Sequence, residues 1–125
     1  MDKNICSVTP TLYFACSGGS NVGQIANDAC RELTRDGEGK LYCLAAIGGH
    51  ITSFAESAKT SNVVIAVDGC GVKCALKVLE EANVPVTHHV VLTDWGIEKN
   101  KELFPDAVVV QAVKDKIMAL SKQQG

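Results

Sequence analysis

The feature that most constrains the fold of this chain is a run of apolar residues followed by an acidic residue and a glycine. Val63 to Val67 contains three valines and one isoleucine, which is typical of a strand buried on both faces of a parallel sheet. Asp68 and Gly69 end the run. Apolar residues then recur at helical spacing, which predicts a helix whose packed face carries Val72, Ala75, Leu76, Leu79 and Ala82.

Two cysteines lie at this junction between strand and helix. We expect Cys70 near the start of the helix and Cys74 one turn later, so that both sulfurs approach one point. Cys74 lies off the predicted packed face, which argues against a core role for it. A helix N-terminus favours thiolate over thiol, and thiolate is the form that binds metal or acts as a nucleophile.

Composition limits the class of protein. The chain has 125 residues, enough for one domain with its own core, which we assign to residues 11–125 after a tail of residues 1–10. A net charge of −2 without a basic tract argues against nucleic acid as a partner. No stretch approaches the ~20 apolar residues that span a bilayer, and no signal segment follows Met1, so we expect a cytoplasmic protein without a membrane partner. In that compartment six cysteines indicate metal binding or redox chemistry.

The first strand and helix carry two further cysteines. Thr11 to Ala15 is predicted as a strand, and the glycine-rich loop after it begins with Cys16, which should lie at the rim of the sheet. Cys30 should pack in the core, because it shares the apolar face of the next helix with Val22, Ile25, Ala26, Ala29 and Leu33. Cys6, in the tail, is interpreted as a flexible surface thiol, with a fifth ligand or a redox partner as the alternative.

The second strand leaves the role of Cys43 open. The strand is predicted from Lys40 to about Ala46, and Cys43 can share a site at the rim only if the strand ends near it. His50 follows two glycines at the start of a short helix. It is either a ligand or a solvent-facing residue beside the helix start.

The last third of the chain predicts one more strand and one more helix. The strand covers Val86 to Thr93, and His88 and His89 point to opposite faces of it, so they cannot both serve one site. Asp106 is the predicted cap of a final helix, whose apolar face carries Val110, Val113, Ile117 and Leu120.

Strands and helices alternate along the chain. This order implies one three-layer α/β domain of the Rossmann or flavodoxin type: a mostly parallel four-stranded sheet in the order 2-1-3-4, with helices on both faces. Ligands bind such sheets at the carboxyl ends of the strands, where the strand order reverses. Cys16, Cys70 and Cys74 should therefore converge there. Three or four thiolates suit zinc, although an iron–sulfur cluster or copper(I) would use the same ligands.

Several short motifs resemble one known family. They are Val67-Asp-Gly-Cys70 followed by Cys74, the loop Cys16-Ser-Gly-Gly running into Val22-Gly23, the run Cys43-Leu-Ala-Ala-Ile-Gly-Gly, and Leu92-Thr-Asp94 with Gly96-Ile-Glu-Lys99. Together they resemble the DGC domain family over about residues 11 to 100. The resemblance implies a zinc-binding domain whose four chelating cysteines are Cys16, Cys43, Cys70 and Cys74. It also implies that the strand before Cys43 ends early or bends, and it implies no reaction.

Three functions follow from these features. The first is a zinc-binding protein in which the metal is structural, carried or sensed, with an unidentified protein or small molecule as a further partner. The second is a thiol-based redox or sulfur-transfer enzyme that uses Cys16, Cys70 and Cys74. The third is a nucleotide-binding regulatory domain, although the loop after Cys16 has neither of the usual phosphate-binding glycine patterns.

Overall fold

The computed structural model describes residues 10–122, so the interpretation of Cys6 lies outside the described residues. The strands are β1 (Leu12–Ala15), β2 (Lys40–Leu41), β3 (Val64–Asp68) and β4 (His88–Val91). The helices are α1 (Asn21–Arg35), α2 (Leu44–Gly48), α3 (Thr52–Lys59), α4 (Cys74–Glu81) and α5 (Ala107–Lys122). A 3-10 turn, Leu92–Trp95, follows β4.

The four strands form one parallel sheet in the order β2-β1-β3-β4. This confirms the predicted α/β fold and strand order. The two central strands, β1 and β3, pair from Leu12 with Val64 to Ala15 with Val67. Every residue of both strands is buried, because helices cover both faces of the sheet and leave it no polar side.

Two apolar cores, one on each face, hold the layers together. The core under α1 and α5 contains Tyr13, Leu33, Ile65, Leu92 and Ile117 among its fully buried side chains. The core under α2, α3 and α4 contains Phe14, Ile47, Val64 and Leu79. Because successive strand residues point to opposite faces, β1 and β3 serve both cores. Within residues 10–122, no helix is both long and apolar enough to cross a membrane.

A buried lysine ties α5 to the end of α1. The Lys114 ammonium donates to Glu32 at 3.2 Å and to Asp36 at 2.9 Å, and the side chain is almost fully enclosed. The hydrogen bond from Lys114 lowers the pKa of the Asp36 carboxyl. Two acceptors satisfy an ammonium that would be costly to bury alone.

The second strand is shorter than its sequence predicts. It ends at Leu41 rather than near Ala46, and Cys43 directly precedes α2. The apolar run after Cys43 turns into a helix because this buries Ala46 and Ile47 on the second face of the sheet. The early end agrees with what the family resemblance implies for Cys43.

The predicted start of the central helix was also wrong. α4 begins at Cys74, because Lys73 adopts a left-handed conformation with φ of 62° directly before it. Val72 is consequently 53% exposed rather than packed. Cys70 precedes the helix, so Cys70 and Cys74 do not share a helical face. The fourth strand likewise ends early, at Val91, where the 3-10 turn begins.

Other predicted features agree with the structure. The apolar face of α1 is buried as expected, and the helix ends at Asp36 and Gly37, whose φ is +82°. Asp106 precedes α5 and its Oδ1 accepts a hydrogen bond from Val108 N at 2.8 Å. Cys30 is fully buried in the core under α1 and α5.

Cys30 provides a test of that core. Burial raises the pKa of its thiol to about 12. We expect Cys30 in the native protein to resist iodoacetamide through the neutral and mildly alkaline range and to react only on unfolding, as measured by mass spectrometry. Cys30→Ala should lower the free energy of unfolding in urea by about 1–2 kcal/mol. Alkylation of native Cys30 as fast as that of exposed Cys43 would contradict this placement.

Candidate functional site

The loops after β1 and β3 meet at the carboxyl edge of the sheet. Cys16 follows β1 directly, and Asp68 is the last residue of β3. The backbone N–H of Gly69 donates to Sγ of Cys16 at 3.3 Å. The Cys70 loop, residues 69–73, is therefore in direct contact with the first cysteine of the rim.

Glycine at position 69 makes this contact possible. A Cβ on Gly69 would lie 2.7 Å from the carbonyl carbon of Val22 and 2.8 Å from the nitrogen of Gly23. A Cβ on Gly23 would in turn lie 2.6 Å from the nitrogen of Gly18. The Cys70 loop thus packs backbone to backbone on the first turn of α1.

Three of the predicted ligands line one cavity. A cavity of ≈ 180 Å³ lies between the start of α1 and the Cys70 loop, and Cys16, Cys70 and Cys74 all border it. Cys16 and Cys70 are half-buried, Cys74 is exposed, and all three are free. The structure therefore brings thiols from two distant segments of the chain to one opening.

Cys43 lies beside a neighbouring cavity. This cavity measures ≈ 470 Å³ and is bordered by Cys43 from the start of α2 and by Cys16. Cys16 thus stands between the two cavities and links Cys43 to the other thiols. His50 has a φ of 64°, is exposed, and borders neither cavity.

The thiol ligands are of the type that soft metals prefer, but they lie too far apart in this structure to bind one. Thiols are the ligands that zinc, iron–sulfur clusters and copper(I) prefer. Among residues 10–122, however, no three side chains of His, Cys, Asp or Glu lie close enough together to hold a metal ion. Binding would require the exposed thiols to move toward Cys16.

A lysine that sequence reasoning missed faces these thiols. Lys99 Nζ donates to Sγ of Cys70 at 3.4 Å and borders the same cavity. The segment that carries Lys99 is anchored by Asn21, whose side chain donates to Glu98 O at 2.8 Å and accepts from Asn100 N at 2.6 Å. No local pattern reveals this contact, because 29 positions separate Lys99 from Cys70.

The environment of Cys16 makes its thiol a weak acid. Burial raises the pKa of Cys16, and the negative charges of Asp68 and Cys74 add to that effect. Hydrogen bonds from the backbone of Gly69 and Gly18 oppose it without reversing it. Cys16 is therefore a neutral thiol near pH 7 unless a cation lies beside it.

Asp68 holds the start of α4. Its carboxylate is 1% exposed and accepts hydrogen bonds from the backbone N–H groups of Ala75 at 2.7 Å and Leu76 at 3.1 Å. These are unpaired donors of the first helical turn, which a carboxylate satisfies and stabilises. His89 Nε2 lies 2.8 Å from Oδ2 of Asp68, and it donates there because a carboxylate only accepts.

Comparison with known proteins identifies the family of the chain. The sequence model of the DGC domain matches residues 12–117. The chain belongs to the DGC domain family. It is also 35% identical over 88 residues to the anaerobic and virulence modulator AnvM of Pseudomonas aeruginosa, which covers 70% of this chain and 67% of AnvM. No solved structure matches the chain significantly.

The three residues whose one-letter codes spell DGC have separate tasks here. Asp68 fixes the start of α4, Gly69 packs on α1, and Cys70 meets Lys99 at the cavity. The first two tasks are structural, and only the third presents a thiol to the cavity. The contacts of Asp68 and Gly69 thus position the loop that carries the Cys70 thiol.

A glycine substitution tests the packing of the Cys70 loop. We expect Gly69→Ala to lower the free energy of unfolding by about 1–3 kcal/mol, because its Cβ would overlap backbone atoms of α1. Gly71→Ala is the matched control in the same loop, since no atom lies within 4 Å of its Cβ. Its stability should change by less than ~1 kcal/mol. Equal stabilities of the two variants in urea would show that the loop does not pack on α1.

Proposed function

We propose that the rim cysteines bind zinc and that the metal serves a modulatory role rather than a reaction. The observation that carries the proposal is that Cys16, Cys70 and Cys74 line one cavity as free thiols, with Cys43 at the adjoining cavity. Zinc would be held at Zn–S distances of about 2.3 Å, and a bound zinc supplies Lewis acidity and cross-links its ligands. The fourth position would be taken by Cys43 or by an exchangeable ligand.

The fold supports a functional zinc over a structural one. Apolar cores already hold helices on both faces of the sheet, and the backbone contacts of Gly69 already join the two loops. A domain with this much core does not require a metal to fold. The exposed positions of Cys43 and Cys74 leave the metal open to exchange with solvent or a partner. We therefore assign the zinc a role as a carried or sensed ion.

The relation to AnvM is consistent with this role. AnvM is named as an anaerobic and virulence modulator, and a ligand-dependent change in this chain would suit a modulatory role. Movement of the exposed thiols of Cys43 and Cys74 toward Cys16 on metal binding would be such a change. The partner that would respond to it is a protein or small molecule outside this chain.

Metal content tests the proposal directly. Protein purified without chelator or metal-affinity resin should contain about one zinc per chain by elemental analysis, in line with a single thiolate site. Cys70→Ser and Cys74→Ser should lose most of it, because each removes a thiolate from the same cavity. Cys30→Ala is the control, since it removes a core thiol and should keep the metal. Folded wild-type protein without zinc, or zinc retained in both serine variants, would contradict the proposal.

A second candidate is thiol redox chemistry at Cys70. The ammonium of Lys99 in contact with Cys70 is the kind of environment in which reactive thiolates occur, whereas Cys16 is held neutral by burial. Cys70 would attack the O–O bond of hydrogen peroxide, forming a sulfenic acid and releasing water. The thiol of Cys74 would then displace the second water, so that two thiols are oxidised to a disulfide as one peroxide is reduced.

Alkylation kinetics test this candidate. In metal-free protein we expect Cys70 to react with iodoacetamide faster than exposed Cys43, and Lys99→Gln to slow Cys70 by a factor of about three to ten. Lys101→Gln, which removes an exposed lysine nearby in sequence, should leave the rate unchanged. Equal rates for Cys70 in the wild type and the Lys99 variant would rule out activation by Lys99.

A further inference from the structure

We infer that His89 is a positioning residue for the thiol site, acting through Asp68 on Cys70 and Cys74. The inference deepens the proposed function and rests on it for the identity of the metal. His89 touches none of the thiols. It donates to Asp68, which lies two positions before Cys70 and binds the helix turn that begins at Cys74.

The three acceptor contacts of Asp68 divide between two elements. Oδ1 binds the N–H of Ala75, and Oδ2 is shared by the N–H of Leu76 and the imidazole of His89. The two amides belong to α4 and the imidazole belongs to β4, the edge strand of the sheet. His89 therefore holds the carboxylate from β4, while the two amides hold it from α4.

Loss of His89 would release the support of Cys74. Asp68 is 1% exposed, so a carboxylate that loses its imidazole partner has little water to replace it. It would rotate, and its bonds to α4 would lengthen. Cys74 directly precedes Ala75, whose N–H is held at 2.7 Å, so the position of its sulfur depends on that bond.

His88 is a matched comparison on the same strand. Both histidines are half-buried, but strand geometry directs them to opposite faces. His88 pairs with Ile65 in the register, whereas His89 pairs with Ala66 and faces the α4 side. Substitution of His88 therefore perturbs β4 but leaves the contact between His89 and Asp68 in place. The comparison separates a loss of strand stability from a loss of the positioning of Asp68.

The decisive experiment compares His89→Leu, His89→Gln, His89→Asn and His88→Leu. Zinc affinity is measured by competition with a chromophoric chelator, and the alkylation rate of Cys74 relative to Cys43 is measured on metal-free protein. Thermal unfolding of each variant is recorded alongside. Gln places an amide nitrogen near the position of Nε2, whereas the shorter Asn does not reach Asp68.

We expect His89→Leu and His89→Asn to weaken zinc binding about 10- to 100-fold, the effect usual for residues that orient metal ligands. Both should also change the alkylation ratio of Cys74 to Cys43, and His89→Gln should restore both readouts. His88→Leu should leave them unchanged even if it lowers the unfolding temperature. Should His89→Leu fail to fold, the contrast between Gln and Asn carries the same test.

Two outcomes would overturn the inference. One is that His89→Asn and His89→Gln give the same zinc affinity and the same alkylation ratio. The other is that His88→Leu shifts them as much as the His89 variants do. If wild-type protein binds no zinc, the proposed function fails, and the alkylation ratio alone still decides whether His89 positions Cys74.

Discussion

The backbone contact between Gly69 and the first turn of α1 is the constraint on which the rim depends. It joins the ends of two neighbouring strands and lets the Gly69 N–H reach the sulfur of Cys16. Any side chain at position 69 would push the two loops apart. Cys16 and Cys70 are therefore neighbours because of close packing in the fold, and a metal would use this proximity without having to create it.

The Asp68 carboxylate adds the second constraint, on the helix that follows. Lys73 adopts a left-handed conformation directly before α4, which costs a non-glycine residue about 1–2 kcal/mol. Two hydrogen bonds from helix amides to the carboxylate offset this, since such bonds to a charged group contribute about 1.5–3 kcal/mol each. The left-handed turn at Lys73 is therefore tolerated. It leaves Cys70 before the helix, where its thiol lies at the cavity.

The sequence predicted the sheet well and the rim only in part. The buried strands, the apolar face of α1 and the core position of Cys30 follow from periodicity, which local sequence encodes. The start of α4 and the end of β2 do not, because they are determined by the Asp68 side chain and by packing in the core under α2, α3 and α4, which the apolar pattern does not encode. The position of Cys43 could be inferred only from the family resemblance. Neither Lys99 nor the role of His89 has a local signal, since their partners lie 29 and 21 positions away.

Charge balance relates the two candidate functions of the site. Three thiolates on a divalent ion leave one net negative charge, and the nearby ammonium of Lys99 would neutralise it. A fourth thiolate from Cys43 would restore a negative charge and close the coordination sphere. The three-cysteine arrangement is therefore the better match for the charges at this cavity, and it leaves one position for an exchangeable ligand. A Cys70 sulfur bound to zinc would also not react with peroxide. Zinc binding and oxidation of Cys70 would therefore exclude each other at this cavity.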